Sequence, residues 1–234
     1  MLFRKLRTMP PMDPHMQPKL EPRLPPGSHE LVNTLTHAVG FVLSLIGAGV
    51  LLVCVISQGD PWRSAGCSMY AASLVAVYAA STLSHGASRP ELRRLFRSLD
   101  QGFIYLLIVG TYTPFALTYL RTGAWLLFLG LLWAIAFVGF ISKVVLAHRV
   151  ESVAVWLYVI LGWLPVIAGI NMIGVVPATA LWWVLFGGLT YTAGTIFLFF
   201  DHRLPQLHAI WHLFVIAGSA FHFFAIWYFV ALVD

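Results

Sequence analysis

Residues 208 to 222 read HAIWHLFVIAGSAFH, three histidines in a stretch otherwise apolar enough for lipid. Imidazole is costly in hydrocarbon unless it lines a cavity, finds a partner or binds a metal, so each of these rings marks a functional candidate. His208 and His212 are four residues apart, on one helical face and separated by about 6 Å of rise, so that both rings can reach one ion. Ser81 and His85 repeat the spacing. Three neutral imidazoles, those of His85, His208 and His212, suit zinc and leave its fourth tetrahedral position open to water, the arrangement of a catalytic site. Asp100 is the group that can orient or deprotonate that water. A structural alternative stands beside this, because two histidines on one helical face also cap, stack or hydrogen-bond.

His222 is a different case. It lies ten residues beyond His212, about 15 Å of helix rise, and is expected to make a buried hydrogen bond and not to ligate. Glu30, Asn33, His37, Gly40, Ser44 and Gly47 recur at intervals of three and four, which puts a polar stripe on one interior-facing side of the first helix. Glu30, Asn33 and His37 are thereby candidates to support the metal ligands from behind. Helix packing is the competing explanation, since small and polar residues are common where membrane helices meet.

The elements that must position these side chains follow from composition. Of 234 residues, 59% are hydrophobic and 10% charged, and the mean hydropathy is +0.84, far more apolar than a soluble domain with about 25% charged residues. The chain reads as an all-α, polytopic membrane protein. Apolar stretches long enough to cross a bilayer as helices are centred on 30 to 56, 64 to 85, 99 to 120, 124 to 142, 153 to 170, 179 to 200 and 207 to 232. Strands would be about half as long and would alternate strictly. Residues 1 to 28 carry seven of the thirteen prolines and no apolar core, and are expected to form a disordered basic tail ahead of a seven-helix domain over 29 to 234.

The net charge of +5 does not form a continuous basic face, which argues against a nucleic-acid partner. It follows membrane topology instead. The tail holds five Lys and Arg; Arg89, Arg93, Arg94 and Arg97 fall in the expected second loop, Lys143 and Arg149 in the fourth and Arg203 in the sixth. Only Arg63 and Arg121 fall on the other side. Twelve against two predicts a cytoplasmic N-terminus and an outer Asp234 in the plasma membrane, which is the inner membrane if the source is a Gram-negative bacterium. His85, Asp100, His208 and His212 then share the cytoplasmic end. Cys54 and Cys67, the only cysteines, fall toward the outer face and are expected to be free thiols.

ELVNTLTHAVG (Glu30 to Gly40), STLSH (Ser81 to His85), Asp100 followed by GTYTP (Gly110 to Pro114), GGLTYTAG (Gly187 to Gly194) and HAIWH (His208 to His212) together resemble the hemolysin III branch of the progestin and adiponectin receptor family, in order over residues 30 to about 225. The resemblance implies a seven-helix fold with zinc near the cytoplasmic side, held by His85, His208 and His212, with Asp100 acting through water and Ser81 close by. That family is similar to alkaline ceramidases, which implies hydrolysis of a lipid amide; the hemolysin name implies a pore-forming cytolysin instead. A receptor or regulator of membrane lipid composition is the third reading. Ionisable residues gathered on one side, and not along a path through the bilayer, weigh against a pore.

Overall fold

A computed structural model describes residues 27–145, 155–168, 173–204 and 206–233. Among these the chain is helical, with one isolated backbone bridge between Ile173 and Val176. The helices are α1 (Ser28–Ser57), α2 (Pro61–Gly86), α3 (Pro90–Tyr119), α4 (Gly123–Val145), α5 (Val155–Ala168), α6 (Ala178–Phe200) and α7 (Gln206–Ile226), the last continuing as a π-helical turn over Trp227–Ala231. Six are long and apolar enough to cross a membrane, and α5 adds a shorter apolar helix. Nearly all of the tail expected over 1 to 28 lies outside the described residues, as do Arg149 and Asp234.

Local chemistry sets the boundaries. Gly59 turns the chain after α1 with φ +76, a conformation glycine adopts without a Cβ penalty. Asp60 then caps α2, its Oδ1 accepting from the amides of Trp62 at 2.9 Å and Arg63 at 3.3 Å, with Pro61 in the first helical position. Pro90 opens α3 in the same way.

That start corrects the expected third segment, which begins at Pro90 and not near residue 99. Arg93, Arg94 and Arg97 are therefore helical and not in a loop. Hydropathy ends where the charges begin, whereas helical hydrogen bonding continues through them to the proline. Lys143 likewise sits in the last turn of α4 and is buried, not in a loop.

Two cores hold the bundle. Leu51, Val55, Tyr70, Leu74, Ile226 and Val230 join α1, α2 and the end of α7; Tyr105, Leu132, Ala136, Tyr158 and Leu161 join α3, α4 and α5. The backbones of α2 and α3 come close, because a Cβ on Gly66 would lie only 3.0 Å from the Cα of Pro114. Large apolar side chains face outward along several helices, among them Val53, Leu127, Val138 and Phe199, as a hydrocarbon surround requires.

Candidate metal centre

α2 ends and α7 begins at the same end of the bundle, and there His85, His208 and His212 each present a ligand atom within 4.8 Å of the other two. Ring centroids are 5.1 Å apart for His85 and His208, 5.0 Å for His85 and His212, and 4.6 Å for His208 and His212. His85 and His212 are buried, and His208 is partly exposed. The four-residue spacing on α7 supplies two rings on one face, and the last turn of α2 supplies the third.

Each ring is held through its Nδ1. His85 Nδ1 lies 2.7 Å from Glu30 Oε2 on α1, and His208 Nδ1 lies 2.8 Å from Asp201 Oδ2 at the end of α6. His212 Nδ1 lies 3.2 Å from Thr36 Oγ1, whose own proton is directed to the backbone carbonyls of Val32 and Asn33. Carboxylates and a hydroxyl already committed as donor accept from imidazole, so in neutral rings Nδ1 carries the hydrogen and Nε2 is left as a lone pair. Hydrogen-bonding one ring nitrogen to fix the other for a metal is how metal-binding histidines are generally oriented.

This donor set fits a divalent ion with a preference for nitrogen. Three nitrogens about 2.0–2.1 Å from a tetrahedral zinc would stand about 3.4 Å apart, so the 4.8 Å limit of the cluster is closed by small ring rotations. Asp100 is not one of the three clustered groups. It shares the wall of a cavity of about 620 Å³ with the histidines and with Ser81. The Ser81 hydroxyl is buried beside the Asp100 carboxyl.

Of the candidates on α1, only Glu30 hydrogen-bonds a clustered histidine, and Arg93 Nη1 approaches its other oxygen at 3.8 Å. His37 packs against His212 with centroids 3.7 Å apart, yet neither of its nitrogens has a hydrogen-bond partner among the described residues. Asn33 is buried, its Oδ1 without a partner among the described residues. Asp201 and Thr36 were not among the residues singled out from the sequence. Asp201 could have been, as the one carboxylate between Glu151 and Asp234 and only seven residues before His208; Thr36 gives no such signal. His222 lies apart from the cluster, with Nε2 3.1 Å from the carbonyl oxygen of Val184, the buried hydrogen bond its position suggested.

The cavity runs inward from the histidines. Its deeper wall is largely apolar, with Leu107, Ile108, Val159, Val184, Leu185 and Val215, and Arg97 lines it beside Asp100. Its size is that of a small-molecule site. α4 contributes nothing to the wall among the described residues.

A family model described as Haemolysin-III related matches residues 27–223. Hemolysin-3 of Bacillus cereus is 35% identical over 86% of this chain and 91% of its own length. A hemolysin-3 homolog of Bacillus subtilis is 31% identical over 84% of this chain and 92% of its own. The human monocyte to macrophage differentiation factor is 28% identical, over 83% of this chain and 82% of its own. No solved structure matches the chain significantly.

Proposed function

The chain belongs to the haemolysin-III-related family, and from that premise we propose that it is a zinc-dependent hydrolase of a lipid amide, working at the cytoplasmic face of the plasma membrane. The observation that carries the reading is the set of three imidazoles whose Nδ1 atoms are all engaged, leaving Nε2 for an ion at the head of a chain-sized apolar cavity. In this reading residues 29–234 form the catalytic membrane domain and residues 1–28 a cytoplasmic tail, an orientation that the positive-inside excess supports.

His85, His208 and His212 would hold the ion. When bound, zinc supplies a Lewis acid that polarises the acyl carbonyl and makes water acidic enough to attack near neutrality. The chain's own groups do the rest. Asp100 takes the proton from the attacking water, and Ser81, buried beside it, donates to the oxygen on which charge develops. As the C–N bond breaks, Asp100 gives the proton to the departing amine, leaving a fatty acid and a free amine. The apolar wall keeps the acyl chain in a hydrocarbon-like medium throughout, so the lipid reaches the site from the membrane.

The test is mass spectrometry of ceramide-containing vesicles incubated with purified, zinc-loaded protein. Release of fatty acid is expected, and Asp100→Asn should slow it about 100-fold without reducing bound zinc. No release from zinc-loaded protein would defeat the hydrolase, and unchanged turnover in the variant would remove Asp100 from the reaction. The printed names of the Bacillus relatives support a second reading, cytolysis. Dye leakage from the same vesicles without fatty acid release would establish it, and neither signal would favour a non-enzymatic regulator.

A further inference from the structure

Several glycines of the bundle stand where a neighbour leaves no room for a side chain. A Cβ on Gly187 would collide with the His222 imidazole, one on Gly194 would lie 2.6 Å from the Cβ of Phe214, and one on Gly218 would lie 2.9 Å from the Tyr191 ring. Close approach of this kind is the usual work of small residues between membrane helices. Gly162 on α5 and Gly188 on α6 are different. A Cβ on Gly188 would meet nothing within 4 Å, and one on Gly162 only Cγ2 of Ile108, at 4.0 Å. Neither has a positive φ, and glycine inside a helix is destabilising relative to alanine. Packing and backbone geometry both leave these two glycines without a purpose.

Their open space is the cavity. On α6 its wall is formed by Val184, Leu185, Gly188, Tyr191, Thr192 and Thr195, intervals of three and four that trace one helical face. Trp182, Phe186, Leu189 and Ile196 are exposed on another, and Gly188 falls at the middle of the first. On α5 the wall residues Val155, Tyr158, Val159, Gly162 and Val166 repeat the pattern, with Trp156 and Ile160 exposed outside it. A Cβ at either glycine therefore points into the cavity. Gly49 and Gly130 are equally open but form no part of its wall.

Both positions lie at a similar distance from the metal centre. Gly162 faces Ile108, eight residues beyond Asp100 on α3, and Gly187, next to Gly188, abuts His222, ten residues beyond His212 on α7. Those separations are about 12 and 15 Å of helix rise. An extended alkyl chain advances about 1.3 Å per carbon, the projection of a C–C bond of about 1.5 Å. A chain with its carbonyl at the histidines thus draws level with the glycines at roughly its ninth to twelfth carbon. Val166 and Val184, one turn further on, continue the wall beyond them.

We propose that Gly162 and Gly188 determine the acyl-chain preference of the site: they hold the deep half of the cavity open to long chains, and a side chain at either position converts it to a short-chain site. A chain that enters from lipid exchanges one hydrocarbon medium for another, so burial alone gives little preference. Length is decided by whether the space exists. The inference rests on the proposed function for the premise that an acyl chain occupies the cavity, and needs neither zinc nor turnover.

The probes are octanoylethanolamide and palmitoylethanolamide, single-chain lipid amides with one headgroup, titrated by calorimetry into the full-length protein in detergent. The amide and any acid released from it carry the same chain, so length is read either way. Both should bind the unmodified protein. In Gly188→Leu, and independently in Gly162→Leu on the other helix, affinity for the palmitoyl amide should fall about tenfold or more, the scale of forcing methylenes into filled space, while that for the octanoyl amide holds. Gly130→Leu, exposed on α4, should alter neither. Gly188→Ala should keep both affinities and raise the thermal midpoint, because its Cβ meets open space; a lowered midpoint would make Gly188 a packing glycine and overturn the proposal. So would equal loss of the two probes, a palmitoyl affinity that survives both leucines, or failure of either amide to bind the unmodified protein. Fatty acid release is followed separately in the same samples. Chain selectivity without release would defeat the hydrolase and leave the chain preference standing, whereas release with a length profile unmoved by both leucines would do the reverse.

Discussion

The two ends of the bundle are both polar and use their polar groups in opposite ways. At the end where α1 meets α2, Arg121 bonds Asp60, Arg63 bonds Gln58 Oε1 at 2.6 Å and the carbonyl of Val233, and Tyr119 bonds the carbonyl of Phe229. Cys54 Sγ and Gln58 Nε2 both reach the carbonyl of Ala231. These side chains satisfy the last carbonyls of the π-helical turn, which a helix end cannot satisfy alone. Among the buried side-chain atoms of this cluster, Arg63 Nε alone lacks a partner within the described residues. At the histidine end the reverse holds: second partners hold the rings through Nδ1, and one nitrogen of each ring lies within 4.8 Å of the other two. Polar groups that satisfy one another hold a fold together, whereas polar groups arranged to stay unsatisfied are a site.

The hardest test of that contrast is His208→Ala. The protein should carry about one zinc per chain and the variant almost none, because two imidazoles rarely suffice; elemental analysis after desalting decides it, and retention of the ion would dissolve the difference between the ends. Less severe is Asp201→Asn, which keeps all three ligands and removes the charged acceptor behind His208. Competition with a zinc chelator should show affinity lowered about 10- to 100-fold. An unchanged affinity would mean that the carboxylate merely lies nearby.

A smaller effect is expected at the opposite end. Its bond from Arg121 holds the Asp60 carboxyl below the ordinary carboxylate range. A carboxyl lowered in the folded state stabilises fully above its unfolded pKa, about 4, and loses that contribution as pH falls through the folded value. Asp60→Asn, which keeps the helix cap, should therefore lower the thermal midpoint slightly at pH 7, consistent with at most ~1 kcal/mol for an exposed pair. The difference from the parent should vanish in acid, and a difference that grew in acid would contradict the pairing. The smallest effect belongs to the cysteines, which are free. Cys67 is fully enclosed, so a maleimide should reach it only after denaturation and without reduction, and Cys54→Ser should leave zinc content unchanged. Labelling of Cys67 that required prior reduction would reverse that expectation.

The same contrast separates what was legible in the sequence from what was not. The clustering of the three histidines could be read because helical periodicity alone places His208 beside His212, and the common depth of His85 follows from counting crossings. The partners behind the rings were less accessible. Glu30 stood out as an acid in an apolar helix, but Thr36 and Asp201 depend on how far α1, α6 and α7 are rotated about their axes, which hydropathy does not encode. The start of α3 was misplaced for a related reason: a window that scores apolarity stops at the arginines, although Pro90 already marked a helix start. The rings of Tyr191 and His222 come together through rotation as well, and only the glycines opposite them hinted at two rings needing room.

The histidine cluster has a bearing on how the chain is assembled. His85 and His208 lie about 120 residues apart in sequence, with α3 to α6 strung between them, and the cost of closing such a loop grows with the logarithm of its length. An ion shared between the end of α2 and the start of α7 would therefore act as a clasp on the whole span, as a long-range disulfide does for a secreted domain. Glu30 and Asp201 extend the clasp to α1 and α6 through the rings they hold. Stripping such an ion would unfasten the two halves of the bundle, so metal supply would bear on the order in which these helices come together as much as on any chemistry done once they have.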